Sequence, residues 1–380
     1  MHSGILNFFS IVFLVLSLAS AAVSGATGEQ PVPAPITVTD MAGRQVSVNV
    51  PVRKVVLGYA KHLPSLAAVA GDDFAGKIAG WGLSRTVLGQ GIFVDYQGKF
   101  PEIAAIPDIG SHAQGTFSVE RVIALKPDAV IFPLWMINNK YEGIADDIAK
   151  MAMVGIPTVF IDCWEKPLAN TVPSIVLLGT LLGKEPRARE IAAFYQERLA
   201  AVTGRLEKIK AVRPRVYVEN GSRGPAEYGW TCGNYAWGAM VAEALGSNIA
   251  EGIVKRWGQI NPEYLLKTDP EVILIAEPKG VGASTGAGLA GPEESRKLLA
   301  EYTRRQGWET FSAVKNGRVH GVFDSFIIYN IYNFAAIEAI AKWLYPEEFR
   351  DLDPEAGLQE FYRRFLSAPY KGGWMLGIAE

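Results

Sequence analysis

Residues 117–132, FSVERVIALKPDAVIF, and residues 260–275, INPEYLLKTDPEVILI, follow one pattern. Each has an acid at its fourth place (Glu120, Glu263), a proline at its eleventh (Pro127, Pro270), an acid next (Asp128, Glu271) and then an apolar run. The pattern reads as helix, stop, strand. Ser118 and Asn261 precede each acid by two places, and both side chains can accept hydrogen bonds from the free amides of a first helical turn. Pro262 stands at the first helical position, where a missing N–H costs nothing. Pro127 and Pro270 stop the two helices. Strands that are apolar nearly throughout belong to parallel sheets covered on both faces. Two such units starting 143 residues apart therefore predict two related α/β lobes.

The remaining chain divides accordingly. ITVTDMAGRQVSV (36–48) reads as a hairpin around Gly43, followed by strands at 53–58 and 156–162 and helices at 63–71 and 141–155. From Asn170 to Lys210 there is no strand signal. One helix ends at Gly183, and a longer one follows over 185–210 with Pro186 in its first turn. About 24 helical residues span ~36 Å, enough to cross from one lobe to another. Alternation then restarts: strand 213–220, helix 235–246, the second copy, helix 294–306, strand 317–323, helix 332–345 and a closing helix 353–366. The expected organisation is a leader (1–26), a Pro-rich linker (27–35), an N-terminal α/β lobe (36–167), connecting helices (168–212) and a C-terminal α/β lobe with a final helix (213–380).

The leader reading rests on ILNFFSIVFLVLSLAS (5–20) followed by small residues, with cleavage expected after Ala21, Ala22 or Ala26. No Lys or Arg precedes Arg44, so the usual basic start is missing. An uncleaved anchor fits less well, because the dense apolar stretch is short for a span of about 20 residues. The absence of Cys in this stretch argues against lipid attachment there. An exported, soluble, periplasmic protein is the expectation. Its formal net charge of −2, without basic clusters, argues against a nucleic-acid partner. Cys163 and Cys232 are the two cysteines. An oxidising compartment permits a bridge between them, and two buried thiols are the equal alternative.

Taken together, TDMAGRQV, RKVV, PDIGSHAQGTFSVERVIALKPDAVI, MVGIPTVFID, NPEYLLKTDPEVILI and VKNGRVHGV with AIEAIAKWLYPEEF resemble the substrate-binding proteins of ABC importers for ferric siderophores, haem and cobalamin. The resemblance covers about residues 36–366. It implies two Rossmann-like α/β lobes joined rigidly by one long α-helix, a ligand cleft between them, and little change of shape on binding. It implies a monomer that meets the membrane only through a permease dimer and its cytoplasmic ATPase. No intrinsic cofactor is implied; the bound ligand would be an iron chelate, haem or a corrinoid. It also implies that a glutamate on each lobe docks onto permease arginines, here Glu120 and Glu263. Helix-terminus electrostatics, worth roughly 0.3–1 kcal/mol, is the competing reason for either acid.

Ligands of such sheets meet the loops leaving the carboxyl ends of the strands. Those loops offer Tyr59, His62, Arg85, His112, Trp135 and Trp164 from the first lobe, and Arg223, Trp230, Tyr235, Trp257 and Phe326 from the second. Flat rings suit a large, partly apolar ligand and the arginines an anionic one; core packing beneath a loop is expected for about half the rings. His62 and His112 are the candidate iron or metal ligands, whereas His320 lies inside a strand and reads as core. A bare-metal site would need three or four convergent ligands, with Cys163 and Asp324 as further candidates. GVGASTGAGLAG (280–291) lacks the Lys-Ser/Thr of a phosphate loop and reads as a surface loop. No GxSxG or other nucleophile–base motif occurs, so enzymatic activity is not expected.

Overall fold

The two copies of the repeat build the same local structure. The computed structural model describes residues 32–82, 91–279, 292–323 and 327–379. The leader, most of the linker, Arg85, Phe326, Asp324 and the 280–291 loop lie outside them. In the first copy, Ser118 caps the helix Val119–Leu125 by accepting from the Arg121 amide at 3.2 Å. In the second, Asn261 caps Pro262–Thr268 by accepting from the Glu263 and Tyr264 amides at 2.7 and 3.3 Å. Both helices end in a left-handed residue, Lys126 (φ 48°) and Asp269 (φ 49°). The acid after each proline then ties its strand to the one beside it. Asp128 accepts from the Arg53 and Lys54 amides at 2.7 and 2.8 Å, and Glu271 accepts from the Arg215 amide at 2.9 Å.

These ties start two sheets. After a hairpin of β1 (Ala34–Thr39) and β2 (Gln45–Val50), the first sheet contains β3 (Val55–Leu57), β4 (Ile78–Trp81), β5 (Ala129–Pro133) and β6 (Thr158–Ile161). Its order is β4-β3-β5-β6, parallel throughout. The second contains β7 (Arg215–Asn220), β9 (Ser247–Asn248), β11 (Val272–Ala276), β12 (Val319–Val322) and β13 (Met375–Gly377) in the order β13-β12-β11-β7-β9, with only β13 antiparallel. Strands β5, β6 and β11 are buried at every position, as sheets covered on both faces require. A small strip of β8 (Trp230–Cys232) against β10 (Trp257–Gln259) stands apart.

Several elements differ from the sequence reading. The chain does not close on the helix Pro354–Phe365; it continues to β13, which covers the edge of β12. The β8 and β10 segments form a strip rather than plain loops, and with three residues each they carry too little alternation to be seen in sequence.

Helices Pro167–Leu182 and Glu185–Leu206 pack along one another between the two sheets. The second, at 22 residues, spans ~33 Å. Near its start Arg187 bonds the Ala68 carbonyl of the first lobe. Further along, Arg198 pairs with Glu338 of the second at 2.7 Å. Near its end Arg205 pairs with Asp351 at 2.6 Å. Rings of Phe194, Phe334, Phe361 and Phe365 fill the space between it and the last two helices. No helix among the described residues is long and apolar enough to cross a membrane.

Candidate ligand cleft

Backbone crowding fixes the loops at the carboxyl edge of the first sheet. A Cβ at Gly82, just beyond β4, would stand 2.5 Å from the Gly58 carbonyl oxygen and 2.7 Å from that of Gly110. Three loops therefore touch through main chain alone. The β3 loop delivers Tyr59, Lys61 and His62, the β5 loop a short helix with Trp135, and the β6 loop Trp164 and Glu165. Buried Asp162 sets that last loop: its carboxylate accepts from the amides of Trp164, Glu165 and Lys166 (2.9, 2.9 and 3.2 Å) and from Asn170 Nδ2 (2.8 Å).

The second lobe faces these with Tyr235 and Arg256 from the β8–β10 region, Glu277 at the end of β11 and Tyr329 beyond β12. The rings meet across the lobes. Trp164 stacks on Tyr329 at 4.1 Å and meets Tyr235 edge-on at 5.8 Å. Tyr59 sets its edge against Tyr329 at 5.2 Å, Trp135 at 5.4 Å and His62 at 5.7 Å. Two cations cover this cluster. Lys61 Nζ lies 4.7 Å above the Tyr329 ring, and the Arg256 guanidinium lies 5.1 Å above Tyr235. Arg256 also pairs across the cleft with Glu165 at 3.5 Å, and Asn138 donates to the other oxygen of that carboxylate. Burial raises the pKa of Glu165 and of Glu277; Arg256 and Lys61 respectively oppose the rise.

Tyr59, His62, Trp135, Trp164 and Tyr235 thus come together, all nearly buried. Arg223 and Trp230 form a separate pair, with the guanidinium 4.4 Å above the indole. The strip's register puts Trp230 on the same face as half-buried Trp257. His112 points elsewhere: its Nε2 lies 3.1 Å from Asp147 and its ring stacks on Phe117 at 3.9 Å, inside the first lobe. Burial pushes His62 down to about 3, so its imidazole is neutral at physiological pH. His320 stacks on Trp343 at 4.5 Å in the core. No group of three His, Cys, Asp or Glu among the described residues is placed to hold a metal ion. Cys163 and Cys232 are free and buried, and burial raises both thiols, Cys232 to about 12.

Among the loops that sequence reasoning named, it passed over Lys61, Glu165, Arg256, Glu277 and Tyr329, which the structure brings together with the named rings. Charge alternating with aromatic residues in YAKH, CWEK and KRWG is the signal that marks three of the five. Glu120 and Glu263 are exposed, and Glu120 accepts from the Ser118 hydroxyl at 3.2 Å. A helix leading into a parallel strand runs opposite to it, so both acids lie toward the carboxyl edges of their sheets, the cleft side.

Residues 69–322 match the sequence profile of a family described as periplasmic binding protein. The crystal structure of a TroA-like periplasmic binding protein, FepB from Veillonella parvula, is 35% identical, covering 90% of this chain and 99% of that one, with a TM-score of 0.80. The molybdate-binding protein MolA of Haemophilus influenzae is 24% identical over 363 residues, 88% of this chain and 92% of that protein. A vitamin B12-binding protein of Pectobacterium atrosepticum is 24% identical over 236 residues, 61% of this chain and 75% of that protein.

Proposed function

Because the chain belongs to the periplasmic binding protein family, we propose that it captures an iron chelate, a ferric siderophore or haem, in the interlobe cleft and delivers it to an ABC importer. Proteins of this family bind substrates for transport and are not enzymes. Work in the periplasm after export is part of this reading, and the leader-like composition of the first residues supports it.

The observation that carries the reading is the ring cluster of Tyr59, Trp164, Tyr235 and Tyr329 with Lys61 and Arg256 laid over it. Packed on one another, such rings form an apolar wall that a ligand meets at its edges or on displacing one of them, and the two cations suit an anionic ligand. A corrinoid would use the same rings but bring at most one phosphodiester anion to the two cations. A bare metal ion would find no ligand cluster among the described residues. Glu120 and Glu263 are proposed as the two docking posts for a permease, since paired charges fix register and steer encounter.

Titrating the purified protein with a ferric tris-catecholate, haemin, cyanocobalamin and bare metal ions, followed by Trp fluorescence, tests the ligand. Saturable quenching by one iron chelate supports the proposal, and a response to free metal alone sinks it. Docking has a separate test: Glu120→Ala with Glu263→Ala should keep ligand affinity and abolish uptake, and normal uptake would refute the posts.

A further inference from the structure

Beside the ring contacts, two kinds of polar contact among the described residues join the lobes at the cleft, and they differ in how easily they release. The deep kind consists of buried asparagines. Asn330 accepts from the Ser65 amide and hydroxyl at 3.2 and 2.7 Å and donates to the Lys61 carbonyl at 3.0 Å. Asn333 accepts from the Tyr195 hydroxyl and donates to the Cys163 carbonyl, both at 2.7 Å. Separating these would strand several buried polar groups, so this seam stays shut.

The rim kind is the Arg256–Glu165 pair. The arginine side chain is 39% exposed and the contact is 3.5 Å. The glutamate side chain is 12% exposed; with the arginine open to solvent and the contact that long, the pair is weakly held. The two partners are not equally fixed. Glu165 is anchored by Asn138 at its carboxylate and by Asp162 at its amide. Arg256 rests on the Tyr235 ring, and Glu165 is the polar partner of its five-donor fork among the described residues. Any anionic oxygen entering beside the Trp164–Tyr329 stack must therefore contend with the carboxylate already facing that cation.

We propose that Glu165 is a built-in competitor for the ligand: it holds Arg256 across the cleft in the ligand-free protein, and an anionic oxygen group of the incoming chelate takes its place. This rests on the iron-chelate reading above and adds the ligand chemistry that the cleft selects. Carboxylate or catecholate oxygens gain Arg256; a neutral ligand gains nothing from displacing Glu165. The exchange also loosens the rim while the asparagine seam holds, so opening is small and hinged at the seam.

Glu165→Gln keeps the shape and the Asn138 contact but removes the charge. Spin labels at Met153→Cys and Ile253→Cys, both exposed positions in different lobes, read the rim without any ligand, and the buried native thiols stay unlabelled. The distance distribution of ligand-free Glu165→Gln should broaden toward longer values, and Arg256→Gln should do the same, with thermal melts confirming that both variants fold. Ferric tris-catecholate should bind Glu165→Gln about fivefold more tightly than the parent and bind Arg256→Gln more weakly. Unchanged label distances overturn the latch whatever the ligand proves to be. Weaker chelate binding by Glu165→Gln overturns the competitor role, because the pair would then be holding the bound state together. Shifted distances in a protein that binds no iron chelate leave the latch standing and defeat the competitor role together with the proposed function.

Discussion

Arg305 is the residue whose loss should be felt most. It is buried, and its guanidinium makes two bonds to Glu219 at 2.8 and 2.7 Å. It also bonds the carbonyls of Pro225, Gly224 and Glu227 at 2.7, 3.3 and 2.6 Å. Rings of Tyr302 and Trp308 flank it at 4.7 and 4.5 Å. Arg305 is therefore the main tie of the loop that leaves β7 with Arg223 and returns as Trp230, with Tyr302, Tyr217 and Gln259 holding single points of it. Burial raises the Glu219 pKa and Arg305 pulls it back. Arg305→Met leaves that carboxylate buried and unpaired, which costs roughly 3–5 kcal/mol. The three carbonyls add to this only where water cannot reach them. Against a total stability of about 5–15 kcal/mol, the variant should lose roughly a fifth or more of its margin. Urea unfolding of the parent, Arg305→Met, Glu219→Gln and the double variant measures this as a cycle. The double variant should recover part of the loss, since it buries no lone charge. A loss below about 1 kcal/mol in Arg305→Met, or strict additivity in the cycle, would refute the reasoning.

Four further outcomes follow from other sites. Burial raises Glu338 to about 7, with Arg198 opposing; its contribution to stability is complete below its unfolded pKa near 4.5 and is lost as pH rises through about 7. Thermal melts across that window should show a decline of roughly 3 kcal/mol that Glu338→Gln removes, and an identical profile in the variant would contradict this. Gly82→Ala forces a methyl against two backbone oxygens and should destabilise by roughly 1–3 kcal/mol, so an unchanged melt tells against the crowded loop edge. Asn333→Ala strands the Tyr195 hydroxyl and the Cys163 carbonyl and should cost roughly 2–4 kcal/mol in the same assay. A thiol reagent should leave Cys163 and Cys232 unmodified until the protein unfolds; rapid reaction of the native protein would show that they are not enclosed.

The doubled helix–stop–strand pattern carried most of the fold, because each of its marks has one local meaning. Ser118 and Asn261 cap, Lys126 and Asp269 turn left-handed before the prolines, and Asp128 and Glu271 bond the neighbouring strand. The last of these roles was hidden, since an acid after a proline looks like a solvated loop residue. Elements of three residues, β8, β10 and β13, were not legible because so short a run shows no period. The cleft was half legible. Strand order tells which loops gather at the carboxyl edges of the sheets, and the structure brings several of those loops together. It does not tell which residue in a loop turns inward, and that is why His112 was grouped with the cleft although Asp147 holds it inside the lobe. Lys61, Glu165 and Arg256 read as ordinary surface charge until their partners across the cleft are seen.

The most direct test of the central claim is the position of the metal itself. Crystals grown with the iron chelate that binds most tightly would be measured at the iron absorption edge. An anomalous peak between the lobes, bordered by Tyr59, Trp164, Tyr235 and Arg256, is the predicted result. A peak outside the cleft, or iron bound directly by His112 and Asp147 inside the first lobe, would contradict it.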